Sequence, residues 1–296
     1  MARTLRFALG CLLLLSCTGP QRTGPAPDAP VESRLRAGAW KPLDVQVESR
    51  HEAARFTVEE LSFRGVAGER VKATRVRPPG GGPFPGVLYV HWLGDVGSSN
   101  RTEFLAEAEE LAGLGIVSLL VDALWSQKDY YEARVPEADF EASIAQTRDL
   151  VRALSLLSAE PGVDGARLAV VGHDYGAMHA ILVGAIEHRP RAWVLMTPTP
   201  HFSDWAFYGP VPKDREAYLK RMAELDPLAF IGQLTGAVLL QFASRDAFVP
   251  AASAAALDAA APPGHTTRTY EADHALAVPA ARAERLAFLR SALLVP

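Results

Sequence analysis

Leu168-Ala-Val-Val-Gly-His-Asp-Tyr-Gly-Ala-Met-His-Ala180 is the stretch on which the reading of this chain turns. Four apolar residues run into Gly172-His173-Asp174-Tyr175-Gly176, and a helical pattern follows. The order is strand, sharp turn, helix. Gly172 and Gly176 let the turn be tight and let helix and strand approach closely. The turn carries a carboxylate, Asp174, at its tip. The rest of the sequence is read for groups that would work with it.

Upstream, Phe84–Trp92 is a continuous apolar run and is predicted to be a buried strand. It ends in His91-Trp92-Leu93-Gly94. Asn100 is placed to cap the next helix, with Glu103 at the reciprocal capping position. Phe104, Leu105, Ala108, Leu111 and Ala112 form one face of that helix, and Gly113 and Gly115 stop it. Ile116–Val121 is the next buried strand. A loop rich in aromatics (Trp125, Tyr130, Tyr131) leads to a long helix over 139–158. Two β-like stretches near 56–65 and 69–76 precede all of these and read as an antiparallel hairpin at the sheet edge.

Downstream, strands are expected at 192–196, 238–242 and 267–271, and helices at 251–261 and 279–294. Alternating strands and helices imply parallel crossovers and a sheet covered on both faces. Residues 198–226 interrupt the alternation with four prolines and with Phe202, Trp205, Phe207, Tyr208 and Tyr218. So long a connection reads as a small cap inserted over the site, not as loop.

Two further residues complete a constellation. Asp246 follows a buried strand in Phe242-Ala-Ser-Arg-Asp-Ala-Phe-Val-Pro250. His274 follows the last strand in Tyr270-Glu-Ala-Asp-His-Ala-Leu276. Both fall at carboxyl ends of strands, where open parallel sheets bind ligands. Asp273 beside His274 is a weaker candidate for the acid, because adjacent side chains point apart.

In this order of elbow, acid and histidine, from about Glu69 to the C-terminus, the chain resembles the α/β-hydrolase superfamily, and in its body the dienelactone hydrolase-like and prolyl-oligopeptidase-like branch. The Gly-His-Asp-aromatic-Gly elbow is similar to that of epoxide hydrolases and haloalkane or haloacid dehalogenases, which use an Asp nucleophile. The resemblance implies an α/β-hydrolase fold: a mostly parallel central sheet, helices on both faces and a small cap. It implies a triad of Asp174, Asp246 and His274. It also implies an oxyanion hole made by the backbone N–H of Tyr175 and one from Trp92 or Leu93.

Chemistry separates the possible reactions. A carboxylate attacking an ester carbonyl forms a high-energy anhydride. A carboxylate attacking an sp³ carbon displaces halide or opens an epoxide and leaves an alkyl ester. His274 would then activate the water that hydrolyses that ester. The leaving group needs donors. Tyr208, Tyr218, Tyr130 and Tyr131 are available hydroxyls; Trp92, Trp125 and Trp205 are available N–H groups. His91, Trp125, Trp205, Tyr208 and Tyr218 are accordingly the expected substrate-lining residues, with His91 alternatively supporting the loop beneath the site. His173 and His179 read as packing residues. Ester or lactone hydrolysis is the competing reaction. A catalytically inactive protein that uses the cleft for binding is the competing class.

Composition narrows the partners. Among 296 residues the formal charge is −4 and no Lys/Arg run stands out, so nucleic acid is not an expected partner. No metal and no cofactor are expected, since the histidines lack ligand spacing. Arg3 and Arg6 precede an apolar run, Phe7–Leu15, and Leu14-Leu15-Ser16-Cys17 follows. This reads as a signal peptide over 1–16 and a lipobox that would make Cys17 a lipidated first residue. Residues 17–42, rich in Pro, Gly, Ala and Arg, are then a flexible tether, and 43–296 the hydrolase domain. The expected location is the bacterial cell envelope, facing periplasm or exterior. Both cysteines, Cys11 and Cys17, precede the domain, so it has no disulfide.

Overall fold

The computed structural model describes residues 29–36, 41–94, 100–206 and 209–294. Its centre is one nine-stranded sheet: β1 (Gln46–Glu52), β2 (Thr57–Arg64), β3 (Arg70–Arg77), β4 (Phe84–Val90), β5 (Val117–Val121), β6 (Val163–His173), β7 (Pro190–Met196), β8 (Ala237–Ala243) and β9 (Thr266–Tyr270). The spatial order is β1-β2-β3-β5-β4-β6-β7-β8-β9. The first three strands form an antiparallel meander that joins β5, also antiparallel. From β5 to β9 every pairing is parallel.

The helices are α1 (Val31–Arg36), α2 (Leu105–Ala112), α3 (Tyr130–Ala133), α4 (Asp139–Ala159), α5 (Tyr175–Gly184), α6 (Arg215–Met222), α7 (Pro227–Phe230), α8 (Ala251–Ala260) and α9 (Pro279–Leu294). The central strands have no solvated face, so their runs are apolar throughout, and the period of two divides each run between two cores. Leu88 and Val90 of β4, with Leu168 and Val170 of β6, join α1, α4, α5 and α8 on one face. Val87 and Tyr89, with Ala169 and Val171, join α2 and α9 on the other. Helix α5 is buried along its whole length, as its all-round apolar sequence requires.

Three elements differ from the sequence expectation. Strand β1 has no apolar alternation and is exposed throughout; its ladder with β2 alone makes it a strand. Helix α1 lies inside the expected tether of residues 17–42. Leu35 is 0 % exposed, Arg34 pairs with Glu141 of α4, and the Arg36 guanidinium donates to the carbonyls of Ala185 and Ile186 at the end of α5. Those carbonyls lack intrahelical partners, and Arg36 satisfies them. Helix α2 starts at Leu105, not after Asn100. The Asn100 side chain accepts from Thr102 two residues on, a local turn that competes with helix, and Glu103 does not complete a capping box.

The connection between β7 and β8 is helical in short pieces: a turn at Phe202–Trp205, α6, a turn at Ala223–Leu225, and α7. Tyr218 of α6 fastens it to the body by donating to Asp139 Oδ2 at 2.7 Å.

Candidate active site

Strand β6 hands the chain to α5 through one residue, Asp174, at φ 53° and ψ −117°. A non-glycine residue with positive φ costs about 1–3 kcal/mol and needs surroundings that enforce it. Here the Asp174 N–H donates to Met196 O of β7 at 2.7 Å. Both flanking glycines are required. A Cβ on Gly176 would lie 2.5 Å from the carbonyl oxygens of Val90 and His91, and one on Gly172 would lie 2.6 Å from Ala177 Cα.

The turn drives the Asp174 side chain inward, where it is 0 % exposed. Its Oδ2 accepts from the Leu93 N–H at 3.1 Å. Its Oδ1 has no hydrogen-bond partner and faces His274 Nε2 across 3.6 Å. That separation is an ion-pair contact, too long for a hydrogen bond. The Nε2 is likewise buried without a hydrogen-bond partner. The other ring nitrogen, Nδ1, donates to both Asp246 oxygens at 2.9 and 3.0 Å. The N–H groups of Phe248 and Val249 hold the Asp246 carboxylate in turn, at 2.8 and 2.9 Å.

Charge follows from this geometry. Burial by itself would lower the His274 pKa. The carboxylates of Asp174 and Asp246 on either side outweigh it and push the imidazole up to about 9. At neutral pH the ring is a cation between two acids. Burial works against ionisation of Asp246 as well, but His274 and the two backbone donors hold it below the usual carboxylate range. Tyr131 is kept protonated first by burial and next by the Asp174 charge. Among the described residues no cluster of three or more His, Cys, Asp or Glu could hold a metal ion.

No family model matches the chain. Solved structures do. An acetyl xylan esterase from Paenibacillus sp. R4 superposes with a TM-score of 0.70 at 17% identity, covering 86% of this chain and 90% of that one. Acetyl xylan esterase 1 from Thermoanaerobacterium sp. JW/SL YS485 gives 0.66 at 15%, over 85% and 88%. The chain has the α/β-hydrolase fold. A cold-adapted esterase from an Arctic intertidal metagenomic library, at TM-score 0.65 and 18% identity, covers 86% of this chain and 100% of that one. Among curated proteins, the mouse bile acid-CoA:amino acid N-acyltransferase is 32% identical over 163 residues, 51% of this chain. The match spans about a third of that relative's length (35%).

Within the α/β-hydrolase fold, the structure brings Asp174, Asp246 and His274 together at the carboxyl edge of the sheet, beside Leu93. Tyr175 opens α5, so its N–H is one of the first-turn donors that a helix leaves without an intrahelical partner. Trp92 departs from its expected place in the oxyanion hole: its N–H donates to Glu103 Oε2 at 2.8 Å and is not free for an oxyanion. Its ring instead walls the site, 6.1 Å from the His274 ring.

Three expected substrate-lining residues are structural. His91 is buried; Nδ1 donates to Trp92 O, Nε2 accepts from the Ala123 N–H, and Ser126 Oγ lies 2.8 Å from Nε2. Burial lowers its pKa and keeps it neutral. Trp125 is buried, and its Nε1–H is committed to Trp92 O at 2.9 Å. Tyr218 is bonded to Asp139, as above. Trp205 does reach the site, its ring 5.9 Å from His274, but its Nε1–H is committed to Thr199 Oγ1. Tyr208 and Cys17 lie outside the described residues. His179 packs against Trp125, and burial drops its pKa to about 3.

Two site residues escape sequence reasoning. Phe248 caps His274 edge-on at 5.1 Å and packs on Trp205. Its only signal is its position two residues after Asp246. Glu103 reads as a helix cap, yet its carboxylate bonds Trp92 N–H and His173 Nδ1. No local pattern announces it. Two cavities adjoin these groups. One of about 450 Å³ is lined by Leu93, Trp125, Tyr130 and Tyr131. A larger cleft of about 900 Å³ lies behind the His274 loop, lined by Trp92, Glu103, His173 and Leu276 among others.

Proposed function

We propose that this chain is a hydrolase that opens an epoxide, or a comparably activated sp³ carbon–oxygen bond, through an ester on Asp174. One observation carries the reading. The Asp174 carboxylate has one oxygen fixed by Leu93 N–H and the other buried, unbonded and facing the imidazole. That is how a nucleophile is held, with its orientation fixed and its attacking lone pair unused.

The steps balance as follows. An Asp174 Oδ1 lone pair forms a bond to carbon, and the carbon–oxygen bond of the epoxide breaks. The leaving alkoxide takes a proton from the neutral Tyr131 phenol. Alkylation cancels the Asp174 charge, so His274 loses one of the two anions that raised its pKa. Its proton passes through solvent to the phenolate. The neutral imidazole, oriented by Asp246, then takes a proton from water as that water attacks Asp174 Cγ. Leu93 N–H and Tyr175 N–H stabilise the oxyanion. Collapse releases the diol and restores the Asp174 carboxylate beside the His274 imidazolium. An epoxide is favoured over a carbon–halogen bond because two of the three expected halide donors, the Trp125 and Trp205 N–H groups, already donate to protein acceptors, whereas the Tyr131 hydroxyl makes only a long contact of 3.4 Å to Trp205 O.

Hydrolysis of an ester or lactone is the second reading, and the names of the structural neighbours favour it. A binding protein without turnover is the third; complete burial of Asp174 favours it. Incubating His274→Gln with small epoxides and measuring intact mass separates them. A stable adduct on Asp174, absent from Asp174→Asn, is expected. Ester turnover by wild-type protein without any adduct would sink the alkyl-enzyme reading, and inactivity on both classes would favour binding. Asp174→Ser, which places a hydroxyl at the strained turn beside His274–Asp246, is expected to gain ester hydrolysis.

A lipid anchor at Cys17 is proposed on the strength of the basic start, apolar run and lipobox-like ending of residues 3–17.

A further inference from the structure

The nucleophile and the histidine sit on separate loops, and one carboxylate joins those loops. Glu103 Oε2 accepts from Trp92 N–H at 2.8 Å, one residue before the Leu93 N–H that holds Asp174. Glu103 Oε1 lies 2.6 Å from His173 Nδ1, and His173 Nε2 lies 3.0 Å from the backbone carbonyl of His274. A carbonyl only accepts, so Nε2 carries a proton. A lone pair on Nδ1 would repel the carboxylate at 2.6 Å, so a second proton lies between ring and carboxyl. The contact is charge-assisted, hence short and directional. The Trp92 ring stacks on His173 at 5.3 Å between centroids and 4° between planes, and so closes the unit. His173 is buried, and the partly exposed Glu103 lines the cleft behind the His274 loop.

We propose that Glu103 is a positioning residue, acting through His173, that fixes the separation between the Trp92–Leu93 loop and the His274 loop. It touches neither Asp174 nor the imidazole of His274. It sets the distance across which Oδ1 and Nε2 face each other. Reactions of this kind lose about 100-fold for a misplacement of about 1 Å. The kinetic part of the inference rests on the Asp174 nucleophile reading; the structural part does not.

The test uses the full chain with Glu103→Ala and Glu103→Gln. Glutamine keeps an acceptor for Trp92 N–H, and its amide donates to a neutral Nδ1, so the frame survives without the shared proton. Imidazole NMR should show a strongly downfield proton from the Glu103–His173 contact that both variants lose. In Glu103→Ala, but not in Glu103→Gln, the Leu93 amide should exchange faster and the His274 titration should move toward that of an unpaired imidazole. In the His274→Gln background, adduct formation on Asp174 should slow about 100-fold with Glu103→Ala, and Glu103→Gln should recover about tenfold of it. Unchanged Leu93 exchange and His274 titration in Glu103→Ala would overturn the proposal. Should no epoxide label the protein, the nucleophile reading fails, while the NMR arm still decides the role of Glu103.

Discussion

At the scale of single residues, the site is an arrangement of two carboxylates around one ring. His274 is protonated in the folded protein up to about pH 9, against 6.5 for a free imidazole. A raised folded-state pKa means that the native state binds the proton more tightly. The stability this supplies is therefore fully present below about pH 6.5 and is lost as pH rises through about 9. The shift corresponds to about 3 kcal/mol. Urea denaturation at pH 6 and pH 9.5 checks it: wild-type protein should lose stability over this interval, and His274→Gln should lose much less. Equal losses would mean that the ring is not paired with both carboxylates in solution. In the proposed mechanism the same pairing makes the resting histidine a poor base, and neutralising Asp174 would make it a good one.

Among elements, α1 shows how composition misleads. Residues 31–36 stand in a stretch whose Pro, Gly and Arg content reads as tether, yet they dock on α4 and α5. The docking needs two apolar side chains, Val31 and Leu35, and two guanidiniums, too little for a periodic signal over six residues. Removing a buried leucine side chain costs about 2–5 kcal/mol when the site cannot collapse. Leu35→Ala is therefore expected to lower the urea midpoint clearly, and with an unchanged m-value. A midpoint identical to wild type would show that α1 is not part of the cooperative unit. Strand β1 is the converse case: exposed on every residue, it owes its form to the β2 ladder, and only the folded β2 supplies that.

Taken whole, the molecule is a sheet between two cores with Asp174, Asp246 and His274 gathered at one edge. No helix among the described residues is long and apolar enough to cross a membrane. The lipid anchor proposed at Cys17 is tested separately. Cys17→Ser should leave the protein in the soluble fraction after cell lysis, and an inhibitor of lipoprotein signal peptidase should block processing of the parent chain. A Cys17→Ser protein that still sediments with membranes would contradict the anchor.

Sequence alone determined the strand–turn–helix around Asp174, because Gly172 and Gly176 permit contacts that any Cβ would forbid, and those constraints are local. It determined the parallel core, because strands buried on both faces must be apolar throughout. It also ordered Asp174, Asp246 and His274 at strand ends, since chain order and sheet topology fix which loops meet there. Tertiary structure alone decided what each neighbouring donor does. Trp92 N–H went to Glu103, Trp125 N–H to Trp92 O, and Trp205 N–H to Thr199, leaving Leu93 N–H on the Asp174 carboxylate. Each of those choices joins groups distant in sequence or set by loop geometry. Hydrogen bonds are satisfied wherever the fold brings a partner within about 3 Å, and no local pattern encodes that distance.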